Sequence, residues 1–188
     1  MIGEEVKKAL RILENGGIIL YPTDTIWGIG CDASNDNAAQ KIIDIKKRTV
    51  NKSFIVLVES ERRLERTVED VPDVAWDLIN YSEKPLTIVY EQAKGIAKNV
   101  VNTDNTLGVR IVKDRFCKEL IKALNKPIIS TSANLSGEET AKCFSDISEE
   151  IKNSVDHIVN LRQDEMGSQR SSSIIKLDAS GLINIIRA

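Results

Sequence analysis

Lys46, Lys47, Arg48 and Lys52 crowd a short stretch in which no acid stands between Ile45 and Val58. A run of that kind is either a solvated helix end or a clamp for a phosphate or carboxylate. Lys46 and Arg48 are two apart, so they aim at one anion only where the helix has already ended. Arginine would bring a planar fork and lysine a point charge. Residues 130–137 (STSANLSG) follow an apolar run and are dense in hydroxyl and amide groups. Ser130, Ser132 and Asn134 alternate, so an extended backbone would put them on one face. That face could hold phosphate oxygens or the water shell of a metal, or it could be a polar turn that satisfies its own backbone. Thr23 and Thr25 flank Asp24 just after an apolar strand and pose the same choice: ligand contact or self-satisfied turn. Arg110 sits between Val109 and Ile111. It is paired and half-buried, or aimed into a cleft, or an outward arginine on an amphipathic strand.

Other chemistries lack their residues. His157 is the single histidine, which argues against a serine-hydrolase triad and a multi-histidine metal site. Cys31, Cys117 and Cys143 form no CxxC pair, as expected of reduced thiols in a cytoplasmic protein rather than a zinc site. No GxxxxGKS/T loop occurs, and Gly28-Ile29-Gly30 is only a fragment of a dinucleotide fingerprint. No acidic pair at motif spacing suggests a metal cage. What remains is chemistry by positioning and charge stabilisation, which suits phosphoryl or nucleotidyl transfer. The net charge of -2 and pI of about 5.6 speak against a broadly basic nucleic-acid surface, so a cationic site must be local. The charged N-terminus is no secretory signal, and no apolar run approaches the ~20 residues of a membrane span.

The elements that must position these residues alternate between helix and strand patterns. Val6, Leu10 and Leu13 mark a helix over residues 4–14, stopped at Gly16-Gly17. A strand over 18–21 closes at Pro22 and delivers Thr23 and Thr25 at its end, where ligand groups collect in α/β sheets. Gly28 and Gly30 predict a tight turn or a close approach to a ligand. Ser34, Asn35 or Asp36 caps a helix that runs to about Lys47. Strands follow over 54–58, 86–90 and 107–112. Two helices over 61–80 break at Val71-Pro72, and a loop or short helical turn covers 96–106. Phe116, Leu120, Ile121 and Leu124 form a helical stripe that ends at Lys126-Pro127. Further helix signals lie at 146–151 and a strand at 157–161. Residues 162–172 read as a mobile polar loop, and 173–177 pairs with 182–187 as a hairpin. At 188 residues one domain over 1–188 is the expectation, with helices packed on a mixed sheet.

Taken together, YPTDTIWGIGCDA (21–33), IKKR (45–48) and STSANLSG (130–137), in this order and spacing, closely resemble the YrdC/Sua5 family of threonylcarbamoyl-AMP synthases. The likeness covers nearly the whole chain and corresponds to the short YrdC-type form without the additional Sua5 domain. It implies an α+β fold, a YrdC/RibB-like twisted mixed sheet flanked by helices with a concave cationic cleft. It also implies a reaction: L-threonine, bicarbonate or CO2, and ATP give threonylcarbamoyl-AMP and pyrophosphate, with Mg2+. Other proteins then transfer the threonylcarbamoyl group to adenosine 37 of tRNA. The family's K-x-R pair falls on Lys46 and Arg48 and its S-x-N pair on Ser132 and Asn134, implying catalytic roles for all four. Lys52, Ser130 and Arg110 join them as ATP or phosphate ligands. Thr23, Thr25, Arg48 and Ser172 fall at the threonine pocket, the last within a serine-rich stretch that includes Ser173. Trp27 stands where the family often has tyrosine, and Thr49 and Ser53 where it often has proline. Two other readings share the resemblance: a tRNA- or double-stranded-RNA-binding module of this fold, and a YciO-like relative with weak or different activity.

Overall fold

Capping residues and apolar periodicity cut the chain into short helices laid over one large sheet. The computed structural model describes residues 1–47, 54–165, 171–178 and 180–188. Helix α1 (Ile2–Glu14) buries Val6, Ala9 and Leu13, and Gly16 turns out of it at φ 71°. Strands β1 (Ile19–Tyr21) and β2 (Gly28–Gly30) follow. Next come α2 (Asp36–Ile45), β3 (Ile55–Val58), α3 (Glu61–Thr67) and α4 (Asp73–Tyr81). Strands β4 (Leu86–Glu91) and β5 (Thr106–Ile111) lead to α5 (Arg115–Leu124) and β6 (Ile128–Ser132). A 3-10 turn, Phe144–Asp146, precedes α6 (Glu149–Asn153) and the two-residue β7 (His157–Ile158). The hairpin β8 (Ser173–Leu177) and β9 (Ile183–Arg187) ends the chain.

The nine described strands lie in the order β7-β1-β2-β6-β3-β5-β4-β8-β9. The sheet is mixed: β1/β7, β3/β5 and β4/β8 run parallel and the other neighbours antiparallel. Side chains alternate between its two faces. Ile19, Tyr21, Leu57 and Ile128 pack against Val6, Ala9 and Leu13 of α1 and Phe116, Leu120 and Ile121 of α5. Their neighbours Leu20, Val56, Val58 and Ile129 join the other core with Ala38, Ala39 and Ile42 of α2 and Leu64 of α3. None of the helices is long and apolar enough to cross a membrane, among the described residues.

Three expectations need correction. Gly28 and Gly30 form a strand, not a turn. A Cβ at Gly30 would collide with the Ile129 carbonyl and the Tyr21 ring; at Gly30 the close approach is that of β6 and a buried tyrosine. Helix α2 stops at Ile45, with Lys46 as its C-cap and Lys47 at φ 47°, two residues short of the pattern. The strand expected over 157–161 reduces to two residues beside β1.

Candidate functional site

The strand face that packs against α1 and α5 continues past those helices as the floor of a cavity of about 300 Å³. Cross-strand registry builds that floor. Gly28 pairs with Ser132 and Ser130 with Ile55. Ile55 pairs with Gly108, and Gly108 with Val89. All six line the cavity. Thus β6, at the middle of the sheet, presents the hydroxyls of Ser130 and Ser132 together, as their alternation requires.

One wall is the turn between β1 and β2, from which Thr25, Ile26 and Trp27 face the cavity. Thr23 lies inside that turn. Its hydroxyl donates to the Ile26 carbonyl at 2.7 Å and accepts the Thr25 N–H at 3.0 Å. With its proton so used, Thr23 is the acceptor in the 2.9 Å contact between the two threonine hydroxyls, and Thr25 the donor. The self-satisfied turn thus holds for both threonines, and Thr25 in addition lines the cavity. Trp27 is braced from behind by Phe144, with ring centroids 4.9 Å apart.

Two guanidinium groups supply positive charge. Arg110, on β5, is 4% exposed and pairs with Asp24 at 3.2 Å. Its Nε is buried without a hydrogen-bond partner. Arg187, at the end of β9, was not expected here. Its Nε and Nη2 donate to the Ser172 carbonyl at 3.0 and 2.8 Å. Ser172 is buried in turn, its hydroxyl 2.8 Å from that of Thr87. Burial, followed by the positive charge of Arg110, holds Arg187 below the usual arginine range. Arg187 is exposed by surface area, and with Arg110 it lines one cavity, where two like charges favour an anion. Arg187 carries the same mark that singled out Arg110, a lone arginine beside apolar strand residues. Thr87 and Thr140, also in the lining, carry no such mark.

Lys46 reaches the site from behind β6. It is 3% exposed, and its ammonium donates to the Ser132 carbonyl at 2.5 Å and lies 3.4 Å from the Ser132 hydroxyl. Its own carbonyl accepts the Ser136 N–H at 3.1 Å. The two motifs are therefore bonded to each other. Lys47 turns outward instead, to Glu150 at 2.8 Å. Asn134 lies beyond the strand, and its side-chain amide donates to the Leu135 and Glu138 carbonyls. Its Oδ1 is buried without a hydrogen-bond partner. It does not share the floor with Ser130 and Ser132, because β6 ends at Ser132. Arg48 and Lys52 lie outside the described residues. The loop expected over 162–172 contributes Ser171 and Ser172 to the lining; residues 166–170 are outside the described set. His157 sits across the molecule, 3.3 Å from Glu5. Cys31 and Cys117 are buried free thiols, and burial pushes both up in pKa, so neither is a ready nucleophile.

The family model Sua5/YciO/YrdC, described as "Telomere recombination", matches residues 11–188. The chain belongs to the Sua5/YciO/YrdC family. Curated members of the family similar to it include a threonylcarbamoyl-AMP synthase of Pseudoalteromonas translucida, 29% identical, with 95% of each chain covered. Another, from Pseudomonas aeruginosa, is 31% identical with 89% of each covered. A putative threonylcarbamoyl-AMP synthase of Methanocaldococcus jannaschii is 32% identical over 97% of this chain and 86% of its own. Among solved structures, P. abyssi Sua5 complexed with L-threonine superposes with a TM-score of 0.83 at 24% identity. That match covers 92% of this chain and 50% of the other, so this chain spans about half the length of that Sua5. E. coli YciO superposes equally well, with a TM-score of 0.83 at 25% identity over 97% of this chain and 87% of its own. Those likenesses establish the Sua5/YciO/YrdC fold, a mixed sheet flanked by helices.

Proposed function

We propose that this protein is an L-threonylcarbamoyladenylate synthase, a nucleotidyltransferase that makes threonylcarbamoyl-AMP and pyrophosphate from L-threonine, bicarbonate or CO2, and ATP. The observation that carries the reading is the placement of Arg110 and Arg187 over a floor of serine hydroxyls, with Lys46 bonded to Ser132 behind it. Such a site suits a polyanion bound beside a small polar molecule.

In this reading the threonine amine gives up a proton and bonds to CO2, forming a carbamate. A carbamate oxygen attacks the α-phosphorus of ATP, and the bond from that phosphorus to the bridging oxygen breaks as pyrophosphate leaves. Carbamate, α-phosphoryl and departing pyrophosphate are all anionic. Preorganised cations lower the cost of crowding them. Lys46, Arg110 and Arg187 take that role here, together with Arg48 and Lys52 by family likeness. Ser130 and Ser132 donate to phosphate oxygens, while Thr25 and Ser172 face the threonine. Thr23 acts through the turn that holds Thr25.

Among the described residues, no group of His, Cys, Asp and Glu forms a metal cage. Mg2+ fits this site as an ion carried by the triphosphate, where it neutralises phosphate charge. The product's acyl group is activated for transfer, so a tRNA-modifying transferase is its natural consumer, in the cytoplasm.

The test is pyrophosphate release from ATP, with threonine and bicarbonate omitted in turn. Release should need both. Release without threonine overturns the assignment and favours a YciO-like activity. A salt-sensitive shift of RNA with no such release favours the RNA-binding reading.

A further inference from the structure

We infer that Asp24 is a positioning residue: its carboxylate holds the Arg110 guanidinium in the cavity against the like charge of Arg187. The inference rests on the functional reading above only in taking the cavity to bind pyrophosphate-like anions.

Asp24 lies between the two threonines of the β1–β2 turn, and its side chain leaves that turn toward β5. Oδ1 meets Arg110 Nη2 at 3.2 Å, with side-chain exposures of 12% and 4%. Oδ2 accepts the Lys113 backbone N–H at 2.9 Å, just past the end of β5. The carboxylate is thus hydrogen-bonded through Oδ2 to the segment after β5, while Oδ1 meets the arginine as a charge contact rather than an aligned hydrogen bond. Asp24 is absent from the cavity lining, whereas Arg110 and Arg187 are both in it.

A guanidinium this buried needs a counter-charge. The neighbouring cation makes the need greater, since Arg187 is anchored on the Ser172 carbonyl, which carries no net charge. Without Asp24, Arg110 would swing away from Arg187 toward water. With it, Nη2 is engaged and the guanidinium is held at the cavity wall. Two fixed guanidinium groups then meet an anion with no reorganisation at the moment of binding.

The consequence runs against simple electrostatics. Removing a carboxylate beside an anion site should tighten anion binding if charge alone matters. Positioning predicts the reverse. The test is calorimetric titration with inorganic pyrophosphate, which reads binding without turnover. Asp24→Asn should weaken binding about tenfold, and Asp24→Glu, which keeps the carboxylate, by less. In an Arg110→Gln background, Asp24→Asn should cost nothing further, since the residue through which it acts is gone.

Unchanged or tighter binding by Asp24→Asn overturns the inference. So does an equal loss with and without Arg110, the result of a merely structural role. Equal losses from Asn and Glu overturn it too, as would a wild type that does not bind pyrophosphate. Failure of threonine-dependent turnover with this binding cycle intact would count against the functional reading alone.

Discussion

Lys46 is structural in the fold and, under the proposed function, chemical as well. A primary ammonium on a flexible stem is normally left in water, yet this one is buried and points at Ser132. That burial is sustained because the ammonium donates to the Ser132 carbonyl while staying beside its hydroxyl. Removing a preorganised charge of this kind costs about 3 kcal/mol of barrier. Lys46→Met keeps most of the apolar stem. It should lower kcat of pyrophosphate release by about two orders of magnitude while leaving the melting temperature within a few degrees of wild type. Near-normal turnover would remove Lys46 from the chemistry. At this scale the sequence was partly legible. The alternation of Ser130 and Ser132 named a shared face, and both line the cavity. Thr23 and Thr25, identical in type, were inseparable by sequence. Which of them turns inward depends on the Ile26 carbonyl, a matter of turn geometry.

Among the elements, α1 is tied to the far edge of the sheet by one acid. Glu5 accepts Lys8 Nζ at 2.8 Å and the Asn160 N–H at 2.9 Å, and His157 Nε2 lies 3.3 Å away. Burial by itself would raise its carboxyl. The bonds from Lys8 and Asn160 and the charges of Lys8 and His157 outweigh that and hold it below the usual range. A carboxyl depressed in the folded state adds stability above its unfolded value, about 4.3, and loses it as pH falls through the folded value. Glu5→Gln should therefore be less stable than wild type by about 1–3 kcal/mol at neutral pH, measured by urea unfolding. The gap should narrow below about pH 4. A gap independent of pH would mean that the charge is not what matters. Helix ends were less legible than helix faces. The α2 pattern ran on to Lys47 because lysine suits a helix terminus, but the peptide turns left-handed there and Lys47 leaves for Glu150.

Across the whole molecule, the cavity is lined from residue 25 in the first turn to residue 187 in the last strand. Neighbours in the sheet are mostly distant in the chain, as with β2 beside β6 and β4 beside β8. A ligand that bridges such parts stabilises only the folded chain. At a hundred times its Kd it adds about 2.7 kcal/mol, or roughly 5–10 °C in melting temperature for a protein of this size. Thermal melts with ATP should show a rise of that order, and pyrophosphate, matching fewer contacts, a smaller one. No rise at saturating ATP would mean that the cavity does not join the two ends of the chain around a nucleotide.

The strand and helix pattern and the two motifs were set by the order of residues, because periodicity, capping and hydroxyl alternation act over a few positions. Arg187 joins Arg110, Asp24 reaches β5, and Gly30 gives way to Tyr21 and Ile129 only once the strands are ordered. Those facts come from pairings between segments far apart in the chain, and no local pattern encodes which distant strands become neighbours.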